Sequence, residues 1–203
     1  MAATENRLMP GAVNVFIGEG RTAEVLRNLC YQIVEGSDGD AKWVSVVRRI
    51  EELFGIVLDR PILIEGRGEI DEMSFRNRNK TQLDLSASGR GLQQTLLLMA
   101  YLTTNPGSVL LLDEPDAHLE ILRQRQIYRL LTEVANENKS QIVAASHSEV
   151  ILNEAADRDV VVAIRTPVRG RMGNCDGRVD RRDRTSNADP RALTVVERRQ
   201  RER

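Results

Sequence analysis

The stretch Val109–Glu114, Val-Leu-Leu-Leu-Asp-Glu, places the tightest limit on how this chain can fold. Four consecutive apolar residues after the turn residues 105–107 are typical of a central strand of a parallel sheet, buried on both faces. Pro115 cannot donate a ladder hydrogen bond and is expected to end the strand. Ligands of open α/β sheets bind beyond the carboxyl ends of the strands, so Asp113 and Glu114 are predicted at a ligand-binding edge.

The two carboxylates at this strand end have two interpretations. In a Walker B arrangement, Asp113 would hold the Mg²⁺ that accompanies ATP, because a hard cation prefers oxygen ligands. Glu114 would then polarise the attacking water as a general base. The alternative is an acidic helix N-terminus after a hydrophobic strand, where the helix dipole favours negative charge. The motif alone leaves both interpretations open.

Composition restricts the class of protein. The 203 residues can bury a sizeable core in one or two domains. The chain contains no run approaching the roughly 20 apolar residues of a membrane helix, and its start lacks a secretion-signal profile, so a cytoplasmic location is predicted. Cys30 and Cys175 are predicted to be ordinary thiols, since two distant cysteines form neither a disulfide scaffold nor a zinc cluster.

The charge is distributed unevenly. Residues 165–203 contain 12 arginines and six acidic residues, whereas residues 1–164 contain 17 basic and 24 acidic residues. The acidic body argues against a surface that coats nucleic acid. The arginine-rich segment is predicted to be disordered, either as a solvated extension or as an arm that binds DNA or RNA.

The spacing of apolar residues predicts the helices and strands that precede residue 85. Helices are expected from Thr22 to the glycines at 36–39, with Leu26, Leu29, Cys30 and Ile33 on one face, and over Lys42–Phe54. The predicted strands in this part of the chain are Val13 to Ile17, Pro61 to Ile64 and Glu69 to Phe75, the last two around a turn at 65–68. A charged loop at 77–80 leads into Gln82 to Leu85.

The second informative stretch is residues 85–94, Leu-Ser-Ala-Ser-Gly-Arg-Gly-Leu-Gln-Gln. It leads into a predicted helix with Leu92, Leu96, Met99 and Ala100 on one face. A serine-glycine loop at a helix N-terminus can bind an anion through its free N–H groups. It can equally be a flexible loop with a serine cap, and the sequence leaves both interpretations open.

The segment after Pro115 predicts a helix and two further strands. The helix would place Leu119, Leu122, Ile127, Leu130, Leu131 and Val134 in the core. Gln141 to Ala145 is a predicted buried strand, and 159–164 is another. His147 follows the first of these strands, so it is expected at the same edge as Asp113 and Glu114, where its imidazole could bond a phosphate oxygen or the attacking water.

A glycine-serine loop, a Walker B pair and a strand-end histidine, in this order, resemble the C-terminal half of an ABC-type ATPase head. The likeness extends over residues 83–164 and is greatest to RecF, SMC and OLD-like ATP-binding proteins, with the run Leu-Leu-Leu-Asp-Glu-Pro-Asp-Ala-His-Leu. It implies that Asp113 binds Mg²⁺, that Glu114 is the base and that His147 is the switch histidine. It further implies a D-loop at 116–118, including Asp116, and a signature loop containing Ser86, Ser88, Gly89 and Gly91.

The chain departs from the family pattern in two places. The signature is not a plain Leu-Ser-Gly-Gly-Gln, so either Ser86 or Ser88 could meet the phosphate. No Gly-x-x-x-x-Gly-Lys-Ser/Thr loop occurs in the sequence, and Gly18-Glu19-Gly20 lacks the required ending. The resemblance therefore implies a partial head, truncated or split. The acidic motif of the Toprim nuclease domain that follows the switch histidine in OLD-like proteins is also not found.

These observations together predict an α/β fold, a partial P-loop NTPase with a parallel sheet and flanking helices. Its expected parts are a lead-in (1–80), an ATPase core (81–164) and the arginine-rich tail (165–203). The first functional hypothesis is an ATP-hydrolysing, Mg²⁺-dependent head in DNA maintenance or phage defence. It would pair head to tail or with a half that carries Walker A, and could reach DNA through partner domains. The second hypothesis is a non-catalytic interaction module.

Overall fold

The computed structural model describes residues 5–64, 66–70, 73–115, 119–156, 160–164 and 193–198. The chain divides into two compact units, Met1–Pro106 and Gly107–Arg203. This division differs from the expected boundary after residue 80, because it assigns the glycine-serine stretch and the following helix to the first unit. Within the described residues, no helix is both long enough and apolar enough to span a membrane.

Helices form most of the first unit. They are α1 (Pro10–Gly18), α2 (Leu26–Glu35), α3 (Gly39–Phe54) and α4 (Arg90–Thr104), with 3₁₀ turns at Thr22–Glu24 and Leu85–Ala87. Helix α2 contacts both α3 and α4, as the predicted apolar faces require. The fully buried side chains of these three helices include Leu29, Ile33, Ile50, Leu96 and Met99. The helical predictions over Lys42–Phe54 and from residue 92 onward are confirmed, whereas α2 begins at Leu26 rather than at Thr22.

The prediction of a strand over Val13 to Ile17 is wrong, because these residues belong to α1. Pro10 is the first residue of that helix, where its fixed φ and missing N–H are both tolerated. Val13 is buried while Val15 is exposed. Three alternating apolar residues are too few to distinguish a strand from a helix.

Among the described residues, six short strands complete the first unit. They are β1 (Glu5–Asn6), β2 (Val57–Leu58), β3 (Leu63–Ile64), β4 (Glu69–Ile70), β5 (Ser74–Arg76) and β6 (Gln82–Asp84). Two antiparallel sheets result, in the orders β1-β4-β3 and β2-β5-β6. The predicted turn between β3 and β4 is confirmed, and Gly66 and Gly68 have positive φ angles of 88° and 65°. The single strand predicted over Glu69 to Phe75 is divided between β4 and β5.

The described part of the second unit forms a parallel sheet and two helices. Its elements are β7 (Val109–Asp113), α5 (Ile121–Glu137), β8 (Gln141–Ser146), α6 (Glu149–Ala156), β9 (Val160–Ile164) and β10 (Leu193–Arg198). The strand order is β7-β8-β10-β9, and each neighbouring pair is parallel. The prediction of an α/β fold with a parallel sheet and flanking helices is confirmed.

The prediction that Val109 to Leu112 form a central strand, buried on both faces, is wrong. Among the strands that the structure describes, β7 pairs only with β8 and lies at the edge of the sheet. Leu111 is 74% exposed and Val109 is also exposed. An unbroken apolar run does not report how many neighbours a strand has, so the sequence could not distinguish these cases.

Leu122 is likewise not in the core, since it is 87% exposed. The buried stripe of α5 contains Ile127, Leu130, Leu131 and Val134, and continued toward the N-terminus at helical spacing it reaches Gln124 rather than Leu122. A polar residue therefore occupies a core position in the first turn of α5.

Strand β10 differs from the expectation of a disordered tail over 165–203. Residues 193–198 pair in parallel with β8 on one side and β9 on the other. The other residues of that segment lie outside the described ranges.

Candidate functional site

Glu114 and His147 lie beside each other in the second unit. Glu114 directly follows β7 and His147 directly follows β8, the adjacent parallel strand. The Glu114 backbone N–H donates to the carbonyl of Ala145 at 2.8 Å, which extends the strand pairing by one residue. His147 Nε2 is 3.5 Å from Glu114 Oε1. The two side chains are 37% and 55% exposed, so both are accessible to a ligand from solvent.

The backbone of Glu114 adopts an uncommon conformation. Its φ angle is 48°, in the left-handed region that residues other than glycine seldom adopt. This conformation turns the chain sharply between the end of β7 and Pro115. Strained residues of this kind concentrate at functional sites, where surrounding contacts hold them.

Asp113 is the last residue of β7 and pairs with Ala145 of β8. It therefore stands at the carboxyl end of the strand, as predicted. The described residues contain no group of three or more His, Cys, Asp or Glu side chains that could hold a metal ion. A Mg²⁺ ion fits this donor set only if one or two carboxylates are supplemented by phosphate oxygens and water, which is its usual coordination beside nucleotides. Asp116, like the rest of the predicted D-loop, lies outside the described residues.

The segment after β8 is held by hydrogen bonds in which serine hydroxyls accept from backbone N–H groups and donate to a side chain. Ser146 Oγ accepts from the Ser148 N–H at 3.0 Å, and Ser148 Oγ accepts from the Ile151 N–H at 3.3 Å in the first turn of α6. The Ser148 hydroxyl also donates to Gln124 Oε1 at 2.6 Å. His147 is a predicted site residue, whereas Gln124 is not, because polarity and a position near the start of a helix normally indicate exposure.

In the first unit, hydrogen bonds from its own side chains hold the glycine-serine loop in shape. The Ser88 hydroxyl donates to the Leu85 carbonyl at 2.6 Å. The Gln93 amide donates to the carbonyls of Leu85 and Ser88 at 3.2 and 3.1 Å. The two candidate serines differ: Ser86 is exposed and its side chain bonds the Asp84 carboxylate, whereas Ser88 is half-buried and its hydroxyl proton is donated within the loop. Gln93 was not among the predicted site residues.

The two predicted glycines lie where α4 begins. Gly89 precedes the first helical residue, and Gly91 lies in the first turn. A Cβ atom added to Gly89 would meet no atom within 4 Å. The space beside this residue is therefore open, which would allow another molecule to approach the backbone closely.

An ion pair between a buried arginine and a half-buried aspartate anchors the same loop. Arg27 Nη2 is 3.0 and 3.1 Å from the two carboxylate oxygens of Asp84, and Asp84 Oδ1 accepts from the Ser86 N–H at 2.8 Å. The Arg27 side chain is only 7% exposed. Burial raises the pKa of the Asp84 carboxyl, but hydrogen bonds from Ser86 and the charge of Arg27 outweigh burial, so the pKa is lowered overall.

Glu5 lies on the other side of Arg27. Its Oε1 atom is 3.7 Å from Arg27 Nη1, and its carboxylate accepts from the backbone N–H groups of Arg27 and Asn28. Burial dominates here and raises the pKa of the Glu5 carboxyl. The periodicity of α2 gave no signal for this network, because Arg27 and Asn28 are polar residues beside an apolar stripe.

Cys30 has the properties expected of an ordinary thiol. It is fully buried on the apolar face of α2. Burial, followed by the nearby charge of Glu5, raises its pKa, so the thiolate is disfavoured. Cys175 lies outside the described residues.

Comparison with known proteins supports the resemblance seen in the sequence. The model of a family described as "AAA domain, putative AbiEii toxin, Type IV TA system" matches residues 36–153. The galactose/methyl galactoside import ATP-binding protein MglA 2 of Photobacterium profundum is 29% identical over 144 residues, which cover 71% of this chain and 26% of that protein. The corresponding protein of Clostridium perfringens is 30% identical over 109 residues, 54% of this chain and 21% of the relative. The chain thus spans about a quarter of the length of its curated relatives.

Solved SMC heads also show similarity. An Smc head domain from Pyrococcus yayanosii covers 58% of this chain with 21% identity and a TM-score of 0.43, and the match covers 25% of that structure. The SMC head domain from Thermotoga maritima covers 55% with 25% identity and a TM-score of 0.40, over 39% of that structure. The family assignment rests on the match of the family model to residues 36–153. The predicted resemblance to an ABC-type or AAA ATPase head is confirmed by these sequence matches.

Proposed function

We propose, for a chain that belongs to the family described as "AAA domain, putative AbiEii toxin, Type IV TA system", the function of an ATP-hydrolysing, Mg²⁺-dependent head. The observation that carries this proposal is the contact of Glu114 with His147 at the carboxyl ends of adjacent parallel strands. Relatives named as ATP-binding proteins support ATP as the nucleotide. DNA maintenance or phage defence is the proposed setting.

The chemistry of hydrolysis assigns separate roles to Glu114 and His147. Glu114 accepts a proton from the water that attacks the γ-phosphate, for which its exposed carboxylate is suited. His147 donates a hydrogen bond to a γ-phosphate oxygen or orients that water. Because the two side chains are 3.5 Å apart, a single water molecule can contact both of them.

Asp113 is the proposed protein ligand of Mg²⁺. The ion would neutralise charge on the β- and γ-phosphates when ATP is bound. Asp113 lies one residue before Glu114 at the same strand end, so the proposed metal-binding and water-activating carboxylates are adjacent in the chain. Asp116 is proposed to contact nucleotide from the segment that follows.

The glycine-serine loop is proposed to close over a nucleotide held by another polypeptide. The Ser86 hydroxyl and the N–H groups near Gly89 and Gly91 would donate to phosphate oxygens, while Ser88 and Gln93 keep the loop in shape. The printed sequence contains no Gly-x-x-x-x-Gly-Lys-Ser/Thr loop. The proposed partner is therefore either a polypeptide that supplies the Walker A half or a complete head that pairs with this chain head to tail.

ATP binding and hydrolysis by the full chain, alone and mixed with a second polypeptide that carries the phosphate loop, test this function. Mg²⁺-dependent hydrolysis is expected in the mixture. Glu114→Gln should lower the rate by at least about a hundredfold while leaving ATP binding intact, because removal of a general base acts on the chemical step. Glu120→Gln, an exposed acid close in sequence, is the matched control.

The non-catalytic interaction module is favoured by the missing phosphate loop. It predicts that the chain associates with the second polypeptide without any dependence on ATP, and that hydrolysis is unchanged in Glu114→Gln. Either result would overturn the proposal of an ATPase head.

A further inference from the structure

Gln124 is a buried polar residue at the start of α5. It is 8% exposed and borders a small apolar cavity together with Leu112, Ile127 and Ile151. Burial of an amide in apolar surroundings is costly unless its hydrogen bonds are satisfied. Hydrogen bonds made by the Gln124 amide are therefore needed to offset the cost of burying it.

The amide of Gln124 joins two separate segments. Its Nε2 atom donates to the Leu119 carbonyl at 3.2 Å, and its Oε1 atom accepts from the Ser148 hydroxyl at 2.6 Å. Leu119 lies on the connection from Glu114 to α5, and Ser148 is the residue after His147. One side chain thus bridges the segment that follows Glu114 and the segment that contains His147.

The Ser148 hydroxyl depends on this bridge for its orientation. Its oxygen accepts from the Ile151 N–H, which caps α6, and its proton is donated to Gln124 Oε1. An amide can accept from serine and donate to a carbonyl at the same time. An ionised carboxylate can only accept, and a thioether does neither well, so glutamine is chemically specific at this position.

We propose that Gln124 is a positioning residue that holds His147 against Glu114 by fixing the segments on which they lie. The proposal rests on the function proposed for His147 and Glu114. Gln124 does not touch the reacting groups, since its partners are Leu119 and Ser148. Without the bridge, the segments that follow the two strands are joined only by the strand pairing itself, and the 3.5 Å contact between imidazole and carboxylate is weakened.

NMR of the histidine rings in the full chain tests this proposal. The sequence contains only two histidines, so a His118→Gln variant assigns the His147 signal. In the unmodified chain, Glu114→Gln is expected to shift the His147 ring signals, because the two side chains are in contact. In a Gln124→Met background, the same substitution should shift them by at least about twofold less, since the coupling between two residues depends on their contact.

Val134→Ala is the matched control, because it removes buried volume from the same helix and has no polar partner to lose. It should leave the effect of Glu114→Gln on His147 intact. Gln124→Glu keeps the acceptor for Ser148 and loses the donor to Leu119, so it should restore part of the effect. An unchanged effect in Gln124→Met would overturn the proposal, as would an equal loss in Val134→Ala.

Ser148→Ala removes the bridge from its other end and serves as the second variant if Gln124→Met does not fold. It should reduce the response of His147 by a similar factor, and a full response would contradict the bridge. These signals are recorded without ATP. Failure of the proposed ATPase function would therefore appear as absent hydrolysis in the mixture, while failure of the bridge would appear as an unaltered ring response.

Discussion

The glycine-serine loop and the segments around Glu114 and His147 are held in opposite ways. In the first, charges are buried and structural: Arg27 pairs with Asp84, which in turn accepts from Ser86. In the second, the charged groups are exposed and the supporting bonds come from the neutral side chains of Gln124 and Ser148. A titratable group can therefore be available for chemistry when neutral neighbours provide the support.

The difference also has an energetic side. Removal of one partner from a buried ion pair leaves the other charge without compensation and costs about 3–5 kcal/mol. An exposed pair contributes at most about 1 kcal/mol, because water and salt screen it. Substitutions of charged residues in the two regions should therefore lower the free energy of unfolding by clearly different amounts.

The largest effect is expected for Asp84→Ala. It leaves Arg27 with Glu5 as its only remaining carboxylate within 4 Å among the described residues, so the free energy of unfolding should fall by about 3 kcal/mol. The fluorescence of Trp43, the single tryptophan, reports urea unfolding of this unit. Asp40→Ala removes an exposed acid that pairs with Arg60 and should cost under about 0.5 kcal/mol. Equal losses in the two variants would abolish the distinction between buried and exposed charges.

A smaller effect is expected from pH. The pKa of Asp84 is lower in the folded chain than its ordinary value of 3.8, so its stabilisation is present above that value and is lost as the pH falls through the folded pKa. The difference in unfolding free energy between the unmodified chain and Asp84→Asn should therefore shrink on acidification below pH 3.8. Glu5 acts in the opposite direction, since its raised pKa contributes stability below 4.5 that is lost as the pH rises. A constant difference from pH 6 to pH 3 would contradict this assignment.

Ser148→Ala should have the next largest effect. The variant loses the cap on the Ile151 N–H and the bond to Gln124, and a cost of about 1 kcal/mol is expected for such neutral bonds. Chemical denaturation followed by circular dichroism measures the change. Gln126→Ala, an exposed change in α5, is the control and should alter stability by under about 0.5 kcal/mol.

The smallest effect on stability is expected for His147→Ala. The imidazole and its Glu114 partner are both substantially exposed, so the free energy of unfolding should change by less than about 0.5 kcal/mol. A loss above about 2 kcal/mol would mean that the contact is structural, like that of Arg27 with Asp84. Thermal unfolding in parallel with Asp84→Ala gives the comparison directly.

Helices with a regular spacing of apolar residues could be predicted from the sequence. The faces of α2 and α4 were recognisable because their apolar residues recur at helical spacing, and the strand-end positions of Asp113 and His147 follow from the turn residues nearby. The edge position of β7 was not predictable, because pairing depends on strands remote in sequence. The strand predicted within α1 was wrong for a simpler reason, because three alternating residues are too few to distinguish a strand from a helix.

The buried polar residues escaped prediction for a common physical reason. Arg27 and Asp84 are separated by 57 positions, and Gln124 and Ser148 by 24. A polar side chain becomes stable in the interior only through a partner that folding brings to it, and neither partner is visible from local pattern. Gln93 differs, since its bonds are local and glutamine near the start of α4 could have been considered as a clamp on the preceding turn.

The position of β10 has a consequence for the order in which the second unit can be assembled. Strands β8 and β9 are near in sequence, yet each pairs with residues 193–198, which are synthesised more than 25 positions later. During translation β8 can already pair with β7, but the strand that lies between β8 and β9 is absent until that segment leaves the ribosome, and such long-range parallel pairing is slow to form. Nascent chains that stop short of Leu193 should expose two waiting strand edges to chaperones.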